Sequence, residues 1–210
     1  MRIENTRNGK QVVIKWEDDI QTATQAIAQE RWLSEVQRLE SHTGIGNNKL
    51  RTYARFKKSL ELEPYLEVVE DQKKRRLMTK FRIGLCPLRI ETGRYEAAPA
   101  GSDRQRGVPP IDRICACCEL GVEDECHFLV KCPRFTQMRE CMMRRVRETV
   151  EWIGWGLKED GQAVNAEGWH RYREQLFDCL MSSKDAEVIN AIANYLNSAF
   201  KKRQLILATL

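Results

Sequence analysis

The chain lacks any apolar run approaching the roughly 20 residues that a transmembrane helix requires. Its first residues, MRIENTRNGKQ, contain no apolar stretch of the secretory type, so we expect an intracellular protein, nuclear or cytoplasmic. There is no glycine-rich phosphate loop, and no Ser/His/Asp set or carboxylate pair stands out, so we predict that the chain is not an enzyme. Apolar residues make up 42% and charged residues 31% of the sequence, a balance typical of globular proteins.

Strand-forming patterns are also scarce, and apolar residues mostly recur every three to four positions, as in amphipathic helices. Helices are predicted over 20–39, 50–60 and 70–83, while 88–90 is open between a short strand and an extended turn. Three further stripes consist of Phe135, Met138, Met142, Val146, Val150 and Ile153, then Trp169, Tyr172, Leu176 and Leu180, and last Val188, Ile192, Tyr195 and Ala199. We therefore predict a mainly α fold with a C-terminal bundle of about three helices.

One shift in composition divides the chain. Segment 96–111 holds three of the six prolines and has no apolar period, which predicts a linker or a long loop. We expect an N-terminal helical segment at 1–48, a basic helical region at 49–95, a metal knuckle at 112–135, and a helical region at 136–210 packed on the knuckle.

Five of the eight cysteines lie with one histidine in the eighteen residues 115–132. In a reducing compartment, clustered thiols mark metal sites more often than disulfides. The spacing C-x2-C-x8-H-x4-C offers three thiolates and one imidazole, a set that suits tetrahedral zinc and leaves no position for a reactive water. We predict one structural Zn²⁺, whose ligands are Cys115, Cys118, His127 and Cys132.

The neighbouring residues refine this prediction. Cys117 and Cys126 are interpreted as non-ligands, and whether either can substitute for a ligand stays open. For Cys117 the reason is that its C-x-C pair with Cys115 leaves too little room for the turn that points two sulfurs at one ion. Cys132 directly precedes Pro133, so its sulfur is expected at a helix N-terminus, where the helix dipole favours a thiolate. Gly121 is predicted to supply the turn inside the spacer.

The metal motif and its flanks resemble the zinc-binding region that follows the reverse transcriptase domain in non-LTR retrotransposon polyproteins. The similar features are LMTKFRIG at 77–84, LRIETGRY at 88–95, the cysteine pair, Glu123-Asp-Glu-Cys-His127, and Cys132-Pro133. Upstream, KLRTY at 49–53, FK at 56–57 and EPYL at 63–66 resemble extensions in related element-derived open reading frames. No Tyr-x-Asp-Asp polymerase motif is present, so the resemblance implies an element-derived protein without the catalytic domain.

The net charge of +5 is concentrated in one segment. Residues 51–83 carry ten basic residues against five acidic ones, an excess that equals that of the whole chain. A basic patch of this kind is consistent with polyanion binding, so one hypothesis is a protein that binds RNA or single-stranded DNA. The predicted phosphate contacts are Lys73, Lys74, Arg75 and Arg76.

A second hypothesis is a zinc-stabilised protein–protein interaction module. It depends on the acidic residues of the knuckle, which would repel phosphate: Glu119, Glu123, Asp124 and Glu125. A basic surface that is continuous in the fold would favour nucleic acid, whereas bases scattered among acids would favour a protein partner.

Overall fold

The computed structural model describes residues 2–5, 11–14, 16–41, 50–96, 107–149 and 166–209. These residues are mainly helical, which confirms the predicted fold class. The helices are α1 (Trp16–Ser41), α2 (Arg51–Phe56), α3 (Pro64–Val68), α4 (Gln72–Arg82), α5 (Arg89–Thr92), α6 (Thr136–Thr149), α7 (Ala166–Ser182) and α8 (Ala186–Ala208). None of the helices in this part of the chain combines the length and the apolar character needed to cross a membrane.

The N-terminal segment begins with a β-hairpin before its helix starts. Strand β1 (Arg2–Asn5) pairs antiparallel with β2 (Gln11–Ile14), and Arg2 lies opposite Ile14. Both strands carry β-branched residues, which pack well on a pleated surface. The segment predicted as helical over 1–48 is therefore helical only from Trp16 onward within the described residues.

Helix α8 lies at the centre of the fold, and α3, α4, α6 and α7 all pack against it. The core between these helices is organised around Phe128, which is fully buried. Its ring centroid lies 4.4 Å from that of Phe200 on α8, 4.9 Å from that of Phe135, and 6.3 Å from that of Phe81 on α4. Two predicted apolar positions, Val150 and Ile153, lie outside the described residues.

The segments between α2 and α5 differ in detail from the predicted helices. The helix predicted over 50–60 ends at Phe56, and α3 begins at Pro64. Proline is well tolerated at this first position, because the N–H group that it lacks would have no partner within the helix. Residues 88–90, for which the sequence pattern leaves a short strand and an extended turn open, lead into the short helix α5. Its first N–H groups are held from a distant segment, because the carboxylate of Glu123 accepts from Arg89 N at 2.7 Å.

Within the segment predicted as a linker or long loop, 96–111, residues 96 and 107 lie side by side. Gly107 N donates to Glu96 O at 2.8 Å, and Val108 N donates to Gly93 O at 2.7 Å. Gly107 has φ +86°, and a Cβ there would lie 2.9 Å from Arg94 O, so this position requires glycine. The interior of the loop, 97–106, falls outside the described residues, but its ends return the chain to α5 beside the knuckle.

Candidate metal centre

A tight reversal of the backbone carries the first cysteine pair. Ile114 and Val122 form an antiparallel bridge, and Cys115 N donates to Gly121 O at 2.8 Å. Glu119 N closes the turn by donating to Cys115 O at 2.8 Å, and Glu119 itself has φ +60°. The left-handed residue of the turn is therefore Glu119. Gly121, the residue predicted to supply the turn, has a φ outside the positive range, and its carbonyl accepts the N–H of Cys115.

The second half of the site is a single π-helical turn, His127–Lys131. Asp124 Oδ1 accepts from His127 N at 2.7 Å, and Cys132 N donates to His127 O at 2.7 Å. This wider turn places the residue at position 132 next to the imidazole. Arg139 on α6 then fixes the exit of the chain, because its guanidinium donates to Cys132 O at 2.6 Å.

These two turns bring the four predicted ligands together. The sulfurs of Cys115, Cys118 and Cys132 and a ring nitrogen of His127 all lie within 4.8 Å of one another. The Sγ atoms of Cys115 and Cys132 are 4.0 Å apart, and Cys118 Sγ is 3.3 Å from His127 Nε2. Tetrahedral bonds of normal length would set sulfurs about 3.8 Å apart and sulfur and nitrogen about 3.5 Å apart. The quartet therefore fits one metal ion.

Backbone N–H groups point at the sulfurs and favour their charged form. Hydrogen bonding with Cys132 lowers the pKa of Cys115 to about 3 against the effect of burial, and the N–H groups of Cys117 and Cys118 add to the shift. The same bond and burial raise the pKa of Cys132, although the N–H of Arg134 acts in the opposite direction.

Burial raises the pKa of Cys118 as well, despite a hydrogen bond from the N–H of Leu120. Burial and the closeness of the three sulfurs therefore oppose the ionisation of all three thiols at once. A bound cation is what would allow all three to act as thiolates.

A second set of close groups consists of Cys115, Cys117 and Glu123. Here the cationic partner is already present, because Arg203 on α8 binds both carboxylate oxygens of Glu123 at 2.7 Å. Glu123 is fully buried, and its Oε1 lies 3.7 Å from Cys115 Sγ. The positive charge beside this second set is therefore the guanidinium of Arg203. This observation favours the other set, the quartet that contains Cys118, as the candidate metal site.

Cys126 belongs to neither set among the described residues. Its sulfur donates to Glu174 Oε1 on α7 at 3.3 Å, and burial raises its pKa. Glu174 also binds Lys131 and Arg55. Burial opposes ionisation of Glu174, but the hydrogen bond and charge of Lys131 outweigh it and lower the pKa of this carboxyl. This network ties the π-helical turn to α7.

The acidic residues of the knuckle do not form the surface that the second hypothesis assumed. Glu123 and Glu125 are buried, and Asp124 accepts the N–H of His127. Only Glu119 of the four is exposed. Sequence patterns gave no sign of this burial, because the partner of Glu123 lies 80 residues away on α8.

The predicted nucleic-acid contacts lie at the start of α4, where Asp71 caps the helix by accepting from Lys73 N and Lys74 N. Lys73 and Arg76 are exposed and Lys74 is half-buried. Arg75 is also half-buried, and its guanidinium donates to Leu66 O at 3.1 Å. The four residues therefore do not share one environment.

Several of the other described basic residues in 51–83 are paired with acidic residues and so do not join those of α4 in one continuous basic surface. Lys57 and Arg82 both pair with Glu63, and Arg55 pairs with Asp178 at 2.6 Å. Lys80 is exposed and shares the outer face of α4 with Lys73 and Arg76. Among the described side chains of this region, the exposed basic residues are therefore Arg55, Lys58 and these three on α4.

The left-handed turn gives a direct test of the knuckle backbone. We expect Glu119→Val to destabilise the protein by about 1–2 kcal/mol, because a β-branched residue is strained at positive φ. Glu119→Gly should not show this loss. Gly121→Ala should change stability by less than about 0.5 kcal/mol, since its Cβ would lie 3.7 Å from His127 Nδ1, an ordinary contact. Urea denaturation measures all three, and a larger loss for Gly121→Ala than for Glu119→Val would contradict the structure.

Compared with family models, with curated proteins and with solved structures, the chain gives no match in any of the three comparisons. The resemblance to the retrotransposon region therefore stands on the residues quoted above, and the chemistry of the site on its own geometry.

Proposed function

We propose that the quartet binds one structural Zn²⁺ and that the protein is non-catalytic. The observation that carries this proposal is the convergence of three sulfurs and one imidazole nitrogen within 4.8 Å. Sulfur ligands select zinc over magnesium or calcium. Four protein ligands complete a tetrahedron, so no position is left for a reactive water or a substrate. The ion would join the turn at Cys115–Cys118 to the π-helical turn that packs against α7 and α8.

We infer that this zinc-stabilised fold binds RNA or single-stranded DNA. The exposed face of α4, with Lys73, Arg76 and Lys80, supports this function, and Lys74 lies at its edge. Arg144 and Arg147 on α6 add exposed cations to the helix that follows the knuckle. Burial of Glu123 and Glu125 also removes most of the acidic surface that would have repelled phosphate.

The proposed origin is a non-LTR retrotransposon. It is supported by the spacing of the metal ligands, by the acidic residue four positions before His127, and by Cys132-Pro133 leading into a helix. The proposed protein retains the zinc region and lacks a polymerase.

Nucleic-acid binding should depend steeply on salt. Four phosphate contacts, from Lys73, Lys74, Arg76 and Lys80, predict a slope near −3 in log affinity against log salt, so a fourfold rise in salt should weaken binding about fiftyfold. Replacing these four residues with alanine should flatten the slope and weaken binding to all sequences alike. Fluorescence anisotropy with a labelled single strand measures both effects.

The matched control is Arg75→Ala. Its guanidinium is bonded to Leu66 O, so its loss should leave the salt slope close to that of the wild type. An unchanged salt slope in the quadruple alanine variant would show that α4 does not provide the phosphate-binding face.

A protein–protein interaction module is the second candidate. Its support in the fold is the exposure of apolar side chains on and beside the knuckle: Leu120 is 75% exposed, Ile111 76% and Ile114 38%. The zinc-loaded protein separates the two candidates. Failure to bind RNA and single-stranded DNA at low salt would favour the protein partner, while the salt slope described above would favour nucleic acid.

A further inference from the structure

A cavity of about 220 Å³ lies between α2, α3, α4 and the connection from α7 to α8, remote in sequence from the metal ligands. Its lining carries four cations, Lys57, Lys58, Arg82 and Lys184, against two carboxylates, Glu61 and Glu63. The lining is therefore net +2. The exposed cations proposed for nucleic-acid binding on α4 do not line it.

Two of these cations are buried and share a single carboxylate. Lys57 Nζ lies 3.2 Å from Glu63 Oε1, and Arg82 Nη2 lies 2.6 Å from Glu63 Oε2. Lys57 is 8% and Arg82 9% exposed. Because an unbalanced buried charge is unfavourable, two cations beside one carboxylate leave a positive charge that an anion entering the cavity would compensate.

The arginine is held in place without any ligand. Arg82 Nη1 donates to Met181 O at 2.6 Å. The guanidinium carbon lies 5.5 Å from the centre of the Tyr65 ring and 6.0 Å from that of the Phe56 ring. Both rings line the same cavity. A fixed guanidinium with aromatic neighbours and an adjacent lysine is an arrangement that recognises phosphate oxygens well.

We propose that this cavity binds the phosphate group of a phosphate monoester. A monoester carries a charge of about −1.5 to −2 at neutral pH, so it would be attracted by the two buried cations that share the carboxylate of Glu63. The cavity is smaller than the roughly 300–1,000 Å³ typical of sites that enclose a whole ligand, so it would hold the phosphate end of a larger molecule. The source is either a free nucleotide or the terminal phosphate of a nucleic-acid strand, and the site does not depend on the proposed nucleic-acid function.

The test measures binding of AMP, inorganic phosphate, and matched oligonucleotides with a 5′-phosphate or a 5′-hydroxyl group, by calorimetry on the zinc-loaded full chain. We expect AMP and phosphate to bind, and Lys184→Glu to weaken this binding about tenfold by reversing a charge at the rim. The control is Lys201→Glu, which makes the same change in net charge at an exposed position of α8 outside the cavity and should have less than a twofold effect.

Arg82→Lys provides the second variant, because it keeps the charge and removes the guanidinium fork, and about tenfold weaker binding is expected. Should this variant fold poorly, Lys184→Glu still decides the matter, since Lys184 is exposed. A preference for the 5′-phosphorylated strand that Lys184→Glu abolishes would identify a strand end as the source, and binding of AMP alone would identify a free nucleotide. Equal effects of Lys184→Glu and Lys201→Glu, or no binding of any phosphate probe at millimolar concentration, would overturn the proposal.

Discussion

Removal of the metal with a strong chelator should unfold the helical core and not merely loosen the knuckle. Structural zinc contributes on the order of 10–16 kcal/mol in zinc-finger peptides, which is as large as the roughly 5–15 kcal/mol total stability of a typical domain. The expected loss is global because the ligands belong to the core: Cys115 and Cys132 are 1% and 0% exposed.

The packing around His127 explains why release of the metal would destabilise the helical core. Phe128 directly follows His127, one of the proposed ligands, and its carbonyl accepts from Tyr195 Oη on α8 at 2.7 Å. Its ring contacts aromatic side chains from α4 and α8. Release of the metal would let the π-helical turn move and would therefore expose the centre of the helical core.

Circular dichroism and amide hydrogen exchange should both report this transition. We expect loss of most helical signal and of exchange protection in α4, α6 and α8 after chelation, with recovery when Zn²⁺ is returned in excess. Treatment with excess Mg²⁺ serves as the control and should not restore the fold. Retained protection in α8 after complete metal removal would show that the metal stabilises the knuckle alone.

Breaking the buried pair between Glu123 and Arg203 should produce the second large effect. Both oxygens of Glu123 are bound by Arg203 at 2.7 Å, and the side chains are 0% and 7% exposed. Arg203→Met would leave a buried carboxylate without its cation, a change that typically destabilises a protein by about 3–5 kcal/mol. The loss should be compounded at the metal centre, because the unpaired carboxylate would lie 3.7 Å from the sulfur of Cys115.

A double-mutant cycle separates the pair from its surroundings. Arg203→Met and Glu123→Leu together should destabilise the protein by less than the sum of the single changes, since each single change leaves a buried charge without its partner and the double change leaves none. Lys201→Met is the matched control, because Lys201 is exposed on the same helix and its replacement should alter stability by less than about 0.5 kcal/mol. Additive losses in the cycle, measured by urea denaturation with zinc present, would mean that the two side chains do not act as a pair.

The convergence of the quartet could be predicted from sequence because its residues are close along the chain. All four proposed ligands fall within eighteen residues, at a spacing typical of metal sites. The main helices could be predicted for the same reason, since a helical stripe repeats over a few turns. The paired strands at the N-terminus also have a local signal that a helical interpretation overlooks: the sequence holds the pair Asn8-Gly9, which is typical of hairpin turns, shortly before the β-branched run at 12–14.

The remaining features depend on contacts between distant segments. The first N–H groups of helix α5 donate to oxygens of Glu123, and the carboxylate of Glu123 is itself paired with a residue on the last helix. Lys57 and Arg82 look like part of a basic surface in the sequence, yet in the fold they are buried around Glu63. No periodicity or spacing carries this information, because charge alone does not reveal whether a side chain finds an internal partner.

The most direct test of the central claim is the metal content of the protein purified without chelator, measured by elemental analysis and native mass spectrometry. We predict one zinc per chain in the wild type, none in Cys118→Ser, and nearly one in Cys117→Ser and Cys126→Ser. The two control variants remove thiols next to the ligands, so they separate coordination from a general loss of cysteine. An absence of zinc from the wild-type protein, or an equal loss in Cys117→Ser and Cys118→Ser, would contradict the assigned metal centre.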